Sequence, residues 1–324
     1  MKAVVCREFG SVDRLEWADA PKPSCGPNQI RYRTTVATVG FMDTLLVRGL
    51  YQHKPVPPFV PGAVSAGVVT EVGAAVTGVS PGQRITASDY TGAYAEERVV
   101  GEADFAPVPE GMEELQAAAL RLTFVPSYLA LVERARLQPK ETLVVTGATG
   151  GIGFAAMQLG RHLGARVIGA VGSEEKAAFL GQHGFSETIN YSSESFKDRV
   201  NDFTDGRGAD IIFEVVGGDI FEQSLRCINV GGRLLVLGFT SGRIPNISAN
   251  LPLLKNAAII GSFLGGWRRR NPEGLAAINE AIRRILAESG MRTPVARIFP
   301  MAQAPEAMNL VVNRKAIGVV ALSP

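Results

Sequence analysis

The chain is poor in the residues that carry most protein-based chemistry. Its three cysteines, Cys6, Cys25 and Cys227, form no Cys-x-x-Cys pair, which excludes a disulfide framework and the common zinc and thiol-redox motifs. So few isolated thiols suit a reducing compartment. Its three histidines are His53, His162 and His183. None has a Cys, His, Asp or Glu neighbour at metal-ligand spacing, and all three read as surface or capping residues. No Gly-x-Ser-x-Gly elbow and no His-Glu-x-x-His pair is present. Charge of one sign is also missing. With 33 basic and 31 acidic residues the formal charge is +2, which gives no nucleic acid or membrane partner a reason to bind. Arg268-Arg269-Arg270 is the only basic run and reads as a solvated loop before Asn271-Pro272. No apolar run approaches the length of a membrane span. The N-terminus lacks the apolar core of a secretion signal. A cytoplasmic location is expected.

The 324 residues are enough for two domains and a sizeable core. Residues 1–100 are rich in β-branched residues, Gly and Pro. Ile30 to Val36 alternates like a half-buried strand, and Gly67–Gly73 and Gln83–Ala87 look like further strands. Glu113 to Arg136 has a helical pattern that Pro126 interrupts. Strand and helix then alternate: strands at Arg166–Val171, Glu187–Asn190, Asp210–Val216, Arg233–Gly238 and Ala257–Phe263, helices at Glu174–Gln182 and Ile220–Ile228. With the strand before residue 147 this makes six, a doubly wound parallel sheet. A last amphipathic helix covers Leu275–Ser289.

The most informative segment is Thr142-Leu-Val-Val-Thr-Gly-Ala-Thr-Gly-Gly-Ile-Gly153. A strand feeds a glycine loop, and the loop feeds a helix at Phe154–Leu163. Glycines let the backbone approach a pyrophosphate, and the helix N-terminus offers it unpaired N–H groups. The loop also fits Thr-Gly-x-x-x-Gly-x-Gly, which would indicate a short-chain dehydrogenase. That class needs a Tyr-x-x-x-Lys pair and a loop near the N-terminus, and this chain has neither. An NAD site wants a carboxylate about 20 residues past the glycines. Here the next strand ends Val171-Gly172-Ser173, neutral and small, with Ser173 as a helix cap and Lys176 in the first turn. A lysine there favours NADPH, because a charge-assisted contact to its 2′-phosphate is worth about 1.5–3 kcal/mol.

These features, with Met1–Cys6, Asp43–Tyr51, Pro58-Phe-Val-Pro-Gly62, Ser173-Glu-Glu-Lys176, Ile189-Asn-Tyr191, Gly231–Phe239 and Leu253–Asn256, resemble the medium-chain dehydrogenase/reductase superfamily over essentially the whole chain. The resemblance is to its zinc-free NADPH:quinone oxidoreductase branch, the zeta-crystallin-like proteins. It implies a GroES-like β-rich catalytic domain over 1–120, a Rossmann domain over 121–264 and a return to the catalytic domain over 265–324. It implies a homodimer joined through the edge of the Rossmann sheet. It places Gly150, Gly151 and Ile152 at the pyrophosphate of NADPH. It sets Ser173, Lys176, Tyr191 and Arg314 around the 2′-phosphate, and Val216, Phe239, Phe263 and Leu264 beside the nicotinamide.

Zinc-dependent members carry Gly-His-Glu after the Pro-Gly turn. This chain has Gly62-Ala63-Val64, so no catalytic zinc is expected. It also departs from the zinc-free branch. Gly40 stands for an Asn, Val64 for a Glu, and Pro126 for a Thr that meets the nicotinamide amide. Tyr51 is the best remaining polar candidate for orienting a carbonyl. The expected activity is metal-free reduction of a small quinone or α,β-unsaturated carbonyl by NADPH. Two alternatives stay open: a cofactor-binding sensor or crystallin-like structural protein with little turnover, and an enoyl-thioester reductase.

Overall fold

The computed structural model describes residues 1–324. The chain divides into two compact units, 1–122 with 293–324, and 123–292. The segment 265–292, expected in the returning part, lies in the second unit, and the chain re-enters the first at Thr293.

In the first unit the elements run β1 (Lys2–Val5), β2 (Glu16–Asp19), β3 (Gln29–Val39), α1 (Phe41–Val47), β4 (Val64–Val72), β5 (Arg84–Ser88), β6 (Glu97–Gly101), β7 (Phe105–Pro107) and the start of α2 (Glu114–Tyr128), whose residues from Thr123 on belong to the second unit. In the second they run β8 (Thr142–Thr146), α3 (Gly151–His162), β9 (Arg166–Val171), α4 (Glu174–Gln182), β10 (Thr188–Asn190), α5 (Phe196–Phe203), β11 (Ala209–Glu214), α6 (Gly218–Cys227), β12 (Ile228–Val236), α7 (Asn250–Lys255), β13 (Ala258–Gly261), α8 (Leu264–Arg270) and α9 (Pro272–Ser289). β14 (Val295–Pro300), α10 (Ala304–Val312) and β15 (Val319–Ser323) complete the first unit.

The first unit is a seven-stranded, mostly antiparallel sheet in the order β14-β15-β3-β4-β5-β7, with β6 also on β3. β3 is its spine. Its first half pairs with β6 from Gln29 to Arg33 and its last residues pair with β15 from Ala37 to Val39. Its inward residues Ile30 and Tyr32 pack with Val69, Ile85 and Val100. A second core joins Val4, Val39 and Tyr94 to Phe299, Met308 and Leu322. The last 30 residues therefore supply both sheet edge and core to a unit begun at residue 1.

The second unit is a six-stranded parallel sheet, β10-β9-β8-β11-β12-β13. Val144, Ile168, Ile212 and Leu234 are fully buried in it, with Phe196 and Phe221 from the covering helices. Near-continuous apolar strands of this kind follow from burial on both faces.

Three local expectations need correction. Pro126 does not interrupt its helix. α2 continues through it to Tyr128 and then widens into a π-helical stretch, Leu129–Arg134, a common response where the regular i→i−4 ladder is disturbed. This continuous stretch, Glu114–Arg134, is also long and apolar enough by length and composition to cross a membrane, which the run lengths did not reveal; most of it is buried in the protein, as a core helix is. Arg268–Arg270 are not a loop but the last turn of α8.

The β8–α3 turn has the tightest sterics in the second unit. Gly147 has φ 60°, and a Cβ on Gly153 would collide with the Gly147 carbonyl oxygen. Gly153→Ala is expected to lower stability by about 2 kcal/mol or more, because backbone cannot yield as a flexible side chain does. Urea unfolding of the variant checks this; a change under about 0.5 kcal/mol would show that the turn relaxes.

Candidate active site

Connections leave β8 toward β9 and leave β11 toward β12, so the switch point of the parallel sheet lies between β8 and β11. Open sheets of this type bind ligands in the crevice there, outside the carboxyl ends of the strands. Gly150 caps α3 with extended geometry, φ −72° and ψ 160°, and no side chain caps the helix. The first turn, Gly151 and Ile152 included, thus keeps its N–H groups and the positive end of the helix dipole for an anion. Ser127 Oγ lies 2.9 Å from the Ile152 carbonyl and 2.7 Å from that of Thr123, which ties α2 to this first turn.

At the end of β9 the structure brings Ser173, Lys176 and Tyr191 together. Ser173 caps α4, accepting the Lys176 backbone N–H at 3.4 Å. The Tyr191 ring lies over Gly172, where a Cβ would be 3.2 Å from it. The strand end itself is neutral, and Glu174 and Glu175 belong to the first turn of α4. These groups fit a dinucleotide carrying a phosphate on its adenosine ribose: a helix N-terminus for the pyrophosphate, and a neutral strand end followed by a lysine in the first turn of α4.

Across the switch point Val216 and Phe239 also come together. Thr240 and Ser241 donate their N–H groups to Val215 and Val216 at 2.9 and 2.8 Å. A Cβ on Gly217 would stand 3.0 Å from the Phe239 ring. Phe263 caps α8 and Leu264 opens it, beyond the end of β13, the strand next to β12. Arg314 follows α10 in the left-handed region, φ 55°, and belongs to the first unit.

Two buried carboxylates complete the polar inventory. Glu214, the last residue of β11, is fully buried. Its oxygens accept the Val216 N–H at 2.7 Å, the Gly217 N–H at 2.9 Å and the Thr146 hydroxyl at 2.9 Å. Burial pushes its carboxyl above the ordinary range, against the pull of these donors. In the first unit, Asp43 Oδ2 accepts the Gly40 N–H at 2.7 Å, which caps α1, and faces the Tyr94 hydroxyl at 3.1 Å. Its other oxygen is buried with no hydrogen-bond partner. Burial raises its pKa to about 6, the Gly40 and Tyr94 donors and the Arg98 charge opposing the rise. Arg98 is itself buried and satisfied by neutral acceptors: Ser65 Oγ at 3.0 Å, Ala63 O at 3.1 Å and Thr91 O at 2.7 Å.

Tyr51 stands near Tyr90, ring centroids 6.2 Å apart, and His53 stacks on the other ring at 4.4 Å. His183 bonds the Phe179 carbonyl at 2.8 Å and packs among Phe154 and Phe179. No three His, Cys, Asp or Glu side chains gather as a metal-binding group.

The zinc-binding dehydrogenase family matches residues 151–280, and the alcohol dehydrogenase GroES-like domain family matches residues 26–110. The quinone oxidoreductase-like protein 2 homolog of Nematostella vectensis is 35% identical over 99% of this chain and 88% of its own length. The 2-haloacrylate reductase of a Burkholderia species is 30% identical over 99% and 98%. The solved structure of Escherichia coli quinone oxidoreductase complexed with NADPH superposes with a TM-score of 0.93 at 26% identity, covering 100% of both chains. This chain belongs to the quinone oxidoreductase family of the medium-chain dehydrogenase/reductases. It has that family's fold, a GroES-like β domain beside a six-stranded Rossmann sheet, and is an oxidoreductase of its NAD(P)H-dependent kind.

Sequence reasoning about this quinone oxidoreductase relative missed Glu214, Asp43 and Arg98 as buried groups. A signal existed for two of them. Glu214 is a lone acid inside an apolar strand run, and Arg98 takes an inward place in the alternating Ala95–Val100 segment. Asp43 sits in a helix start, where acids are ordinary, so nothing marked it.

Because its folded-state pKa is raised, Asp43 binds its proton more tightly in the native protein than in the unfolded chain. Its penalty is absent below pH about 4 and grows to about 3 kcal/mol as pH rises past 6. Asp43→Asn removes the titration. The stability of wild type minus that of the variant is expected to fall by about that amount between pH 4 and 7 in urea melts; a pH-independent difference would count against the raised value.

Proposed function

We propose that this protein is an NADPH-dependent reductase that passes a hydride to a quinone or an α,β-unsaturated carbonyl without a metal. The observation that carries the reading is the neutral end of β9, Val171-Gly172-Ser173, with the Tyr191 ring over Gly172 and Lys176 in the first turn of the helix that Ser173 caps. Ser173, Lys176 and Tyr191 hold the 2′-phosphate. Gly150, Gly151 and Ile152 present backbone N–H groups to the pyrophosphate. Val216, Phe239, Phe263 and Leu264 flank the nicotinamide and keep water from it.

Bound NADPH supplies the hydride, which the acceptor takes at the quinone ring or at the β-carbon of an enone. The Tyr51 hydroxyl orients the acceptor carbonyl, and solvent returns the proton. With Gly40, Val64 and Pro126 where the branch has polar groups, the acceptor meets an apolar surface and no side chain serves as nucleophile. The same three positions favour a second reading, a sensor or crystallin-like protein that holds the cofactor and turns over little. An enoyl-thioester substrate is a third possibility; the three arginines at the end of α8 are the feature that would meet its phosphates. Three free cysteines, two of them buried, fit a cytoplasmic location.

Steady-state oxidation of NADPH against a panel of quinones and enones, run beside direct NADPH binding, tests the proposal. Turnover with at least one acceptor is expected; tight binding with none would select the sensor reading. Lys176→Ala is expected to weaken NADPH by roughly tenfold or more and leave NADH little changed. Equal loss for both would remove the 2′-phosphate assignment.

We also propose a homodimer. β13 is a sheet edge paired on one side only, and the residues leading into it expose Ile244, Leu253 and Leu254 by more than two thirds. A second copy would cover an edge that otherwise invites aggregation. Light scattering at micromolar concentration is expected to give twice the chain mass of 34.4 kDa; a monomer would refute it.

A further inference from the structure

The mechanism above makes no use of Glu214. Its carboxylate is 0% exposed, at the end of one of the two strands that flank the switch point. Every partner it has there donates to it. Oε1 receives the Thr146 hydroxyl at 2.9 Å and the Val216 N–H at 2.7 Å, and the Gly217 N–H lies 3.2 Å from Oε1 and 2.9 Å from Oε2. The Thr146 oxygen in turn accepts the Val215 N–H at 3.0 Å, which turns the hydroxyl proton toward its two acceptors, Glu214 Oε1 at 2.9 Å and the more distant Phe213 carbonyl oxygen at 3.3 Å. A set of donors with no acceptor is built for a carboxylate that keeps its charge. No cation is hydrogen-bonded to it. The charge is therefore compensated by dipoles alone, and its field is not cancelled by a neighbouring ion.

We propose that Glu214 is an electrostatic positioning residue that biases the bound nicotinamide toward its oxidised, cationic form. The inference rests on the proposed reading of the crevice as a dinucleotide site, with Val216, whose N–H Glu214 holds, beside the nicotinamide. In hydride donation the C4–H bond breaks with both its electrons. The ring goes from neutral to +1, while the acceptor becomes an anion that takes a proton from solvent. A fixed negative charge beneath the ring end of the crevice favours the product side of that change. It also favours the transition state, in which part of the positive charge has developed. The same side chain fixes residues 215–217 and, through Thr146, the start of the glycine loop. Charge and loop geometry are thus held by one group.

The test separates these two roles by measuring dissociation constants for NADPH and NADP+ side by side. If Glu214 only shaped the loops, Glu214→Gln would weaken both forms by the same factor. With the charge role, Glu214→Gln raises the ratio Kd(NADP+)/Kd(NADPH) by about three- to thirtyfold, the order of magnitude expected for removing one buried unit charge near a ring that becomes cationic. Glu214→Asp and Thr146→Val keep the charge. They are expected to shift both constants together and leave the ratio within about twofold of wild type. An unchanged ratio in Glu214→Gln overturns the proposal and leaves the cofactor reading intact. Binding of neither form by wild type overturns the cofactor reading and this inference with it. If the glutamine variant does not fold, the wild-type protein decides: NADP+ bound no more weakly than NADPH supports the proposal, and NADPH bound more than about tenfold more tightly overturns it.

Discussion

The second unit depends on one buried carboxyl group, Glu214, and the donors around it. β8 and β11 are parallel neighbours, in register from Leu143 opposite Ile211 to Val145 opposite Phe213. Just beyond that point their chains leave for opposite ends of the sheet. The divergence opens the crevice, and it also strips the residues after Glu214 of strand partners. Buried amides without acceptors cost about 1–3 kcal/mol each. Glu214 meets the amides of Val216 and Gly217 with one side chain, and Thr146 meets that of Val215. The two strands stay tied at the floor of a crevice whose mouth has to stay open.

The first unit solves a related problem in the same way. After β3 the chain turns abruptly into α1, and the Gly40 amide is left outside any ladder; Asp43 takes it. Tyr94 bridges from Asp43 to the Thr38 carbonyl, 3.2 Å from its hydroxyl, and burial beside Asp43 raises the Tyr94 pKa well above normal. Arg98 closes the network on the Ala63 and Thr91 carbonyls. In both units the most expensive polar groups sit where backbone departs from regular pairing. A half-satisfied network of this kind would be worse than none. Within this Asp43–Tyr94–Arg98 group the unpartnered atom is Asp43 Oδ1, in accord with Asp43 being the carboxyl whose pKa rises to about 6.

Sequence legibility follows the range of the interaction that decides each feature. α4 was legible to the residue, Glu174–Gln182, because its serine cap and first-turn acids are local. β9 was equally clear, since an apolar β-branched run between two glycine-marked turns has one reading. β11 was expected to reach Val216 but stops at Glu214. The side chain that ends it draws the next amides into its own carboxylate, a tertiary event that no period reports. The helix through Pro126 persisted because its neighbours fix the backbone on both sides: Ser127, the next residue, is fully buried and bonds into α3. Of the candidate site, strand order gives the switch point, while Tyr191, Val216 and Phe239 were named through the family resemblance. Glu214, Asp43 and Arg98 needed the partners that only folding supplies.

This division bears on how the chemistry is run. A reductase can lower its barrier by handing a proton to the acceptor or by stabilising the charge left behind on the donor. The two buried carboxyls of this chain are occupied. Asp43 holds a helix start and Glu214 holds a loop, so neither has the freedom of a general acid that must release its proton and recover it each cycle. The positions where the resemblance expects Asn, Glu and Thr are Gly40, Val64 and Pro126, which are apolar or lack a side chain. What is left to the protein is fixed charge and shape. A carboxylate locked by dipoles costs no reorganisation when charge develops near it, whereas a mobile acid does. A chain that gave up polar contacts to the acceptor would therefore depend more on the field at the donor end of the crevice, the part proposed for Glu214.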